Sequence, residues 1–178
     1  FAQIAKNVAR RKPIIAVKSG RTRAGAAAAG SHTAALATSD VAVNALFQQT
    51  GVIRADTIDE MFDLAACLQA QPLPLGNLIA IVTNAGGPGI LAADACAAAG
   101  LNVVPFAPAT TAVLRAALPT LPAIANPLDM IATAGPDQYR TAIAGVLAAG
   151  EVDALLVLYT SVDPATASAV TDGIRAGI

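Results

Sequence analysis

Short apolar runs and longer helical patterns alternate along the chain. Runs rich in Ile, Val and Leu predict strands at Pro13 to Lys18, Val52 to Arg54, Leu78 to Thr83, Asn102 to Pro105 and Ala154 to Tyr159. Their apolar content is continuous, as in parallel strands buried on both faces. Between them, amphipathic spacing predicts helices at Phe1 to Arg11, Asp40 to Thr50, Thr57 to Gln71, Gly89 to Ala99, Thr110 to Leu118, Pro136 to Ala149 and Pro164 to Ala176. Thr57-Ile-Asp-Glu60 has the spacing of a capping box, and Pro136 and Pro164 suit first-turn positions. Strand-helix alternation implies βαβ units, and hence an α/β fold with doubly wound parallel sheets.

Pro72-Leu-Pro-Leu-Gly76 interrupts this rhythm, ending one helix ahead of a fresh strand. We place a domain boundary there, giving parts 1–74 and 75–178. Each part has few strands for such a fold and is expected to be incomplete. The chain opens within a helical pattern and stops soon after another, as a piece of a longer protein would.

Composition adds a bias and removes several classes. Of 178 residues, 55% are hydrophobic and 13% charged, which fits a globular domain and not a disordered one. Alanine supplies much of that hydrophobicity, in runs such as Ala26 to Ala29, and dilutes periodicity. The net charge of −1 offers no global attraction to nucleic acid or an anionic membrane. No apolar run reaches the roughly 18 residues of a membrane span, and no signal segment opens the chain. Cys67 and Cys96 lie apart within apolar helical patterns, so buried thiols in a reducing, cytoplasmic setting are expected. Charge is uneven, however. Lys6, Arg10, Arg11, Lys12, Lys18, Arg21 and Arg23 all precede the first acid, Asp40. They form either a solvated edge or a positive field around an anionic ligand.

Three segments could carry chemistry. Ser19-Gly-Arg-Thr-Arg-Ala-Gly-Ala-Ala-Ala-Ala-Gly-Ser-His-Thr33 follows a predicted strand, where ligands bind in open α/β sheets. Its glycines allow close approach to a ligand. It holds the chain's one histidine, His32, between the hydroxyl residues Ser31 and Thr33. Neutral imidazole accepts a phosphoryl group well, because one nitrogen attacks while the other keeps a proton. A structural or surface histidine is the competing reading. No cluster of His and Cys supports a metal site, and no Gly-x-Ser-x-Gly elbow supports a serine triad.

The second segment, Val82-Thr-Asn-Ala-Gly-Gly-Pro-Gly-Ile90, joins a buried strand to a helix start. Free N–H groups and the positive helix end favour an anion there, with Asn84, Gly86, Gly87 and Gly89 as candidate phosphate contacts. It matches neither a dinucleotide fingerprint nor a Walker loop, and a plain tight turn remains open. The third segment, Ala125-Asn-Pro-Leu-Asp-Met130, is a turn signal in which Asn126 and Asp129 could support a loop or accept hydrogen bonds.

Taken together, Lys12-Pro-Ile-Ile-Ala-Val-Lys-Ser-Gly-Arg21, Ser31-His-Thr-Ala-Ala-Leu-Ala37, Gly51-Val-Ile-Arg-Ala-Asp-Thr-Ile-Asp-Glu60, Ile81-Val-Thr-Asn-Ala-Gly-Gly-Pro-Gly89 and Asn126-Pro-Leu-Asp129 resemble the nucleoside-diphosphate-forming acyl-CoA synthetases, relatives of succinyl-CoA synthetase. The resemblance implies two flavodoxin-like domains and an acid–thiol ligase reaction that interconverts acyl-CoA, phosphate and ADP with acid, CoA and ATP. It also implies that His32 is the transiently phosphorylated residue, and that Asn84 to Gly89 open a helix facing the phosphate. Ala34 departs from the glycine that many relatives carry after Ser-His-Thr.

The resemblance implies further a CoA-binding Rossmann domain, an ATP-grasp domain or subunit, and an oligomer. CoA, ATP or ADP and Mg2+ would serve the complete enzyme, with no cofactor bound by this chain alone and no ligase activity from it in isolation. A protein-lysine acetyltransferase or a non-catalytic regulatory relative on the same scaffold is the alternative.

Overall fold

The computed structural model describes residues 1–22, 24–25, 27–28 and 39–178. The chain forms two compact units, Phe1–Leu73 and Pro74–Ile178. Both are α/β, and every strand pairing is parallel.

In the first unit, α1 (Ala2–Ala9) leads to β1 (Ile14–Val17), and α2 (Asp40–Thr50), β2 (Val52–Ala55) and α3 (Ile58–Ala70) follow. β1 and β2 pair in register from Ile14↔Val52 to Val17↔Ala55. Gly51 ends α2 in the left-handed conformation (φ 74°), which turns the chain directly into β2. The Thr57 hydroxyl caps α3 by accepting the Glu60 N–H (3.1 Å), but Glu60 Oε2 reaches the N–H of Asp56 (2.7 Å) rather than that of Thr57. The capping box is therefore shifted by one residue on its return side. α3 buries no residue completely, and Cys67 on it is exposed, contrary to the sequence expectation. The apolar pattern of α3 led there, but Cys67 lies on a face this unit does not cover. Described residues 24, 25, 27 and 28 are helical, with the Thr22 hydroxyl accepting the Gly25 N–H (3.1 Å), so part of the small-residue segment is helix rather than loop.

The second unit is built on β3 (Leu78–Thr83), followed by α4 (Gly86–Ala98), β4 (Asn102–Val103), α5 (Pro108–Ala117), β5 (Leu128–Asp129), α6 (Pro136–Ala149), β6 (Ala154–Leu158) and α7 (Ala167–Ala176). β6 runs along β3 from Ile79↔Ala154 to Thr83↔Leu158. The other edge of β3 is shared, with β4 at its start and β5 at its end. Alternation along β3 explains the layering. Ala80 and Val82 join a core with Leu114, Leu128, Met130, Tyr139, Ile143 and Val146, whereas Ile79 and Ile81 pack with Cys96 beneath α4. Each such fully buried aliphatic side chain contributes about 1.5–3 kcal/mol. Tyr139 is fully buried, donates its hydroxyl to Leu158 O (2.9 Å) and meets Tyr159 edge-on. Burial, and then Tyr159, raises its ionisation range.

Several boundaries differ from the sequence reading. α4 begins at Gly86, three residues early, because Ala85 is already extended and Pro88 falls in a first turn that needs no N–H from it. α5 begins at Pro108, again with proline in the first turn. Pro164 heads a turn, and α7 starts only at Ala167. β4 is two residues long, and β5, two residues read as loop, is a strand of the sheet. β1 and β6 are half-buried, unlike β3, so burial on both faces holds only for β3 among them. No helix among the described residues is long and apolar enough to cross a membrane.

Candidate functional site

The C-terminal ends of β3 and β5 converge on the start of α4. Three hydrogen-bonded contacts set this geometry. The Thr83 hydroxyl accepts the Ala85 N–H (3.0 Å), which turns the chain out of the strand. The Met130 N–H donates to Thr83 O (2.7 Å), which holds the end of β5 beside β3. The fully buried Asn84 side chain accepts the Thr160 N–H (2.8 Å) and donates to Thr160 O (2.9 Å), tying the turn to the segment after β6.

α4 then starts without a side-chain cap. Gly89 N–H bonds to Ala85 O (3.1 Å), and Pro88 has no N–H. The N–H groups of Gly86 and Gly87 are the donors left at this end. Both glycines are exposed, and a Cβ on Gly87 would meet nothing within 4 Å. Gly89 is buried, and a Cβ there would lie 2.9 Å from Thr83 Cγ2. Of the four residues singled out in this segment, Gly86 and Gly87 present donors, whereas Asn84 and Gly89 build the frame behind them.

Asp129 faces the same helix start. Its Oδ1 accepts the Ile131 N–H (2.9 Å), and its Oδ2 lies 2.9 Å from the position a Gly86 Cβ would take. Ile131 has φ 59°, a left-handed conformation that costs a β-branched residue energy. Asn126, beyond a cis peptide to Pro127, points the other way. Its Oδ1 accepts the Ile81 N–H (2.9 Å), and its Nδ2 donates to Ile79 O (2.9 Å) and Val104 O (2.7 Å). A cavity of about 300 Å³ lies behind the loop after Asp129, lined by Thr133, Gly135, Tyr159 and Asp163 among others.

In the first unit, charged residues gather at the C-terminal ends of β1 and β2. Arg54 holds both Asp40 oxygens (3.1 and 3.0 Å) and reaches Asp56 Oδ1 (3.3 Å). Lys18 lies 3.8 Å from Asp40, and Arg21 pairs with Asp56. Hydrogen bonding to Asp40 raises the Arg54 ionisation range, against the effect of burial. Lys18 and Arg21, read as part of a basic stretch, are thus neutralised by acids that come later in the chain. Ser31, His32 and Thr33 lie outside the described residues. The pairing of Arg54 with Asp40 was not legible in the sequence, because one sits inside a strand pattern and the other, 14 positions earlier, at a helix start. Among the described residues, no three His, Cys, Asp or Glu side chains gather to hold a metal ion.

Comparison with known proteins covers both units. A family model described as a succinyl-CoA ligase like flavodoxin domain matches residues 1–68, and a second, described as a ligase-CoA domain, matches residues 79–172. The alpha subunit of an ADP-forming acetate–CoA ligase II of Pyrococcus furiosus is 49% identical over 143 residues, 80% of this chain and 31% of that protein. An ADP-forming acetate–CoA ligase of Methanocaldococcus jannaschii is 45% identical over 137 residues, 77% of this chain and 20% of that protein. Among solved structures, a dinucleotide-forming acetyl-coenzyme A synthetase 1 of Ca. Korarchaeum cryptofilum, in complex with phosphate and ADP, matches with a TM-score of 0.86 and 32% identity, over 99% of this chain and 39% of that one. The chain thus spans well under half the length of these relatives.

Proposed function

The chain belongs to the ADP-forming acyl-CoA synthetase family of the succinyl-CoA synthetase superfamily, and from that premise we propose that it is the phosphate-handling part of an acid–thiol ligase. The reaction is the reversible conversion of acyl-CoA, phosphate and ADP into acid, CoA and ATP. The observation that carries this reading is the uncapped start of α4, where Gly86 and Gly87 present two N–H groups at the C-terminal end of a central parallel strand.

Phosphate held there attacks the thioester carbonyl, the C–S bond breaks, and CoA leaves as its thiol after taking a proton. The product is an acyl phosphate. A nitrogen of His32 then attacks phosphorus, and the P–O bond to the acyl group breaks, releasing the carboxylate. In the last step a terminal oxygen of ADP attacks the phosphohistidine, the N–P bond breaks and ATP forms. The helix start stabilises the negative charge through fixed N–H dipoles. Ser31 and Thr33 carry hydroxyls that can donate hydrogen bonds to the phosphoryl group on His32 in this reading. Asn84 and Gly89 keep Gly86 and Gly87 in position, and Asn126 and Asp129 support the loop opposite.

CoA and the nucleotide bind to a CoA-binding Rossmann domain and an ATP-grasp domain or subunit in this reading, within an oligomeric, cytoplasmic enzyme. The acids described here offer no magnesium cage, so Mg2+ enters with the nucleotide phosphates. The test is acid-labile labelling. The complete enzyme is incubated with radiolabelled ATP and Mg2+, alongside its His32→Ala variant. Label lost at low pH from the parent and missing from the variant supports the reading; equal labelling of both removes it.

A further inference from the structure

We infer that the first unit carries a self-association surface, on which α1 of one copy packs antiparallel against α3 of a second copy of this chain. Two exposed apolar stripes of equal length and opposite flanking charge point to that contact. It uses no residue of the phosphate chemistry, so its test and the labelling test can fail independently.

On α1, Ile4 and Val8 are exposed, as is Phe1 at its cap, whereas Ala5 is the buried residue of the helix. The three exposed residues recur at the three- and four-residue spacing of one helix face. On α3, Ile58, Phe62 and Ala65 repeat that spacing and are exposed as well. The exposure is large, 71% at Ile4 and 63% at Phe62. Each stripe covers about 10 Å of helix length. A surface helix ordinarily turns polar side chains outward, and an exposed apolar stripe marks a contact surface. Neither stripe covers the other within one unit, because both are exposed there.

Charge selects the occupant. Arg10, Arg11 and Lys12 follow the α1 stripe and, with Asn7 and Val8, line a groove of about 610 Å³. None of these three bases forms an ion pair among the described residues. α3 carries no Lys or Arg, and it opens with Asp59 and Glu60, followed by Asp63 one turn on. Asp59 and Asp63 pair with no base among the described residues either. Laid antiparallel, Val8 meets Ile58, Ile4 meets Phe62, and the basic end of α1 meets the acidic start of α3. Packing α1 on α1, or α3 on α3, would instead set like charges together, so α1 on α3 is the favoured pairing.

The experiment uses the complete enzyme that carries this chain, in sedimentation equilibrium over a range of protein and salt concentrations. Concentration-dependent association that weakens as salt rises is expected. Arg11→Glu and Asp59→Lys should each weaken it about 10-fold, and the two together should bring it back to within about threefold of the unaltered enzyme. A merely structural role of either residue would not be restored by reversing the charge of the other. Phe62→Ser, at an exposed position outside the core, should weaken association at every salt concentration, and it decides the matter should a charge variant fail to fold. Absence of association overturns the contact. Dissociation constants that the variants leave unchanged overturn it too, as they would if another part of the enzyme covered the stripes. Losses that simply add in the double variant overturn the pairing of α1 with α3.

Discussion

The Asn126 amide accepts the Ile81 N–H at 2.9 Å and so stands in for a missing strand along one edge of β3. β4 covers that edge at Leu78 and Ile79, and β5 covers it at Val82 and Thr83. Between them, Asn126 also donates to Ile79 O and Val104 O, closing the gap in the ladder with one side chain. Buried backbone groups in a parallel sheet must find partners. Removing these three should cost roughly 3 kcal/mol or more, given about 1–3 kcal/mol for each group left unsatisfied. Asn126→Ala is therefore expected to lower the urea midpoint with an unchanged slope. A loss below about 1 kcal/mol would mean that water replaces the amide readily.

Gly87 and Gly89 are two residues apart, and the structure assigns them opposite sensitivities. A Cβ at position 87 meets nothing within 4 Å, and alanine favours a helix over glycine by about 0.5–1 kcal/mol. Gly87→Ala should hold or raise the melting temperature while weakening phosphate binding in the complete enzyme. A Cβ at position 89 would press on Thr83 Cγ2 at 2.9 Å, so Gly89→Ala should lower the melting temperature by wedging α4 from β3. Paired thermal melts of the two variants check the contrast, and equal shifts would contradict it.

The elements that could be read from the sequence are those whose stability is local or whose pattern is long. β3 and α6 were legible because their apolar runs or helical spacing extend over enough residues to be seen. β5 was not, since Leu128 and Asp129 form a strand only by lying against Val82 and Thr83. Asn126-Pro127 reads as a turn in any sequence, and its side-chain role depends on a gap between two strands that no local pattern reveals. The helix-start donors at Gly86 and Gly87 were visible as a glycine-rich turn after a strand. Which glycines face outward and which pack inward follows from Thr83, a contact set by the sheet. The ion network of Lys18, Arg21, Asp40, Arg54 and Asp56 joins residues up to 35 positions apart, so a one-dimensional count of bases and acids overstated the local positive charge.

Glu151 connects stability to pH. Its two oxygens accept the Thr110 hydroxyl and the Ala107 N–H (3.0 Å), so a carboxylate more than 40 residues away caps the start of α5. The Thr110 hydrogen bond, followed by that from Ala107, holds its ionisation below the ordinary 4.5, against a smaller opposing effect of burial. A depressed folded value means that the unfolded chain binds the proton more readily. The stabilisation is thus full above about pH 4.5 and fades as the pH falls through the lower folded value. Glu151→Gln should be less stable than the parent at pH 7, and the gap should narrow toward pH 3. Denaturation curves at several pH values test this; a gap that stays constant or widens in acid would rule out the carboxylate as the source.

Ile131 offers a test of stored strain that is separate from any loss of contacts. Its side chain is 43% exposed, so replacing it forfeits little apolar burial. Its φ of 59° disfavours a β-branched residue by roughly 1–2 kcal/mol, whereas asparagine tolerates that region because its short polar side chain can bond locally. Asparagine also keeps the N–H that Asp129 Oδ1 accepts. Ile131→Asn is therefore expected to stabilise the protein by about 1 kcal/mol, read as a higher urea midpoint at the same slope. A lower midpoint would show that the Ile131 side chain contributes more through packing than its backbone costs.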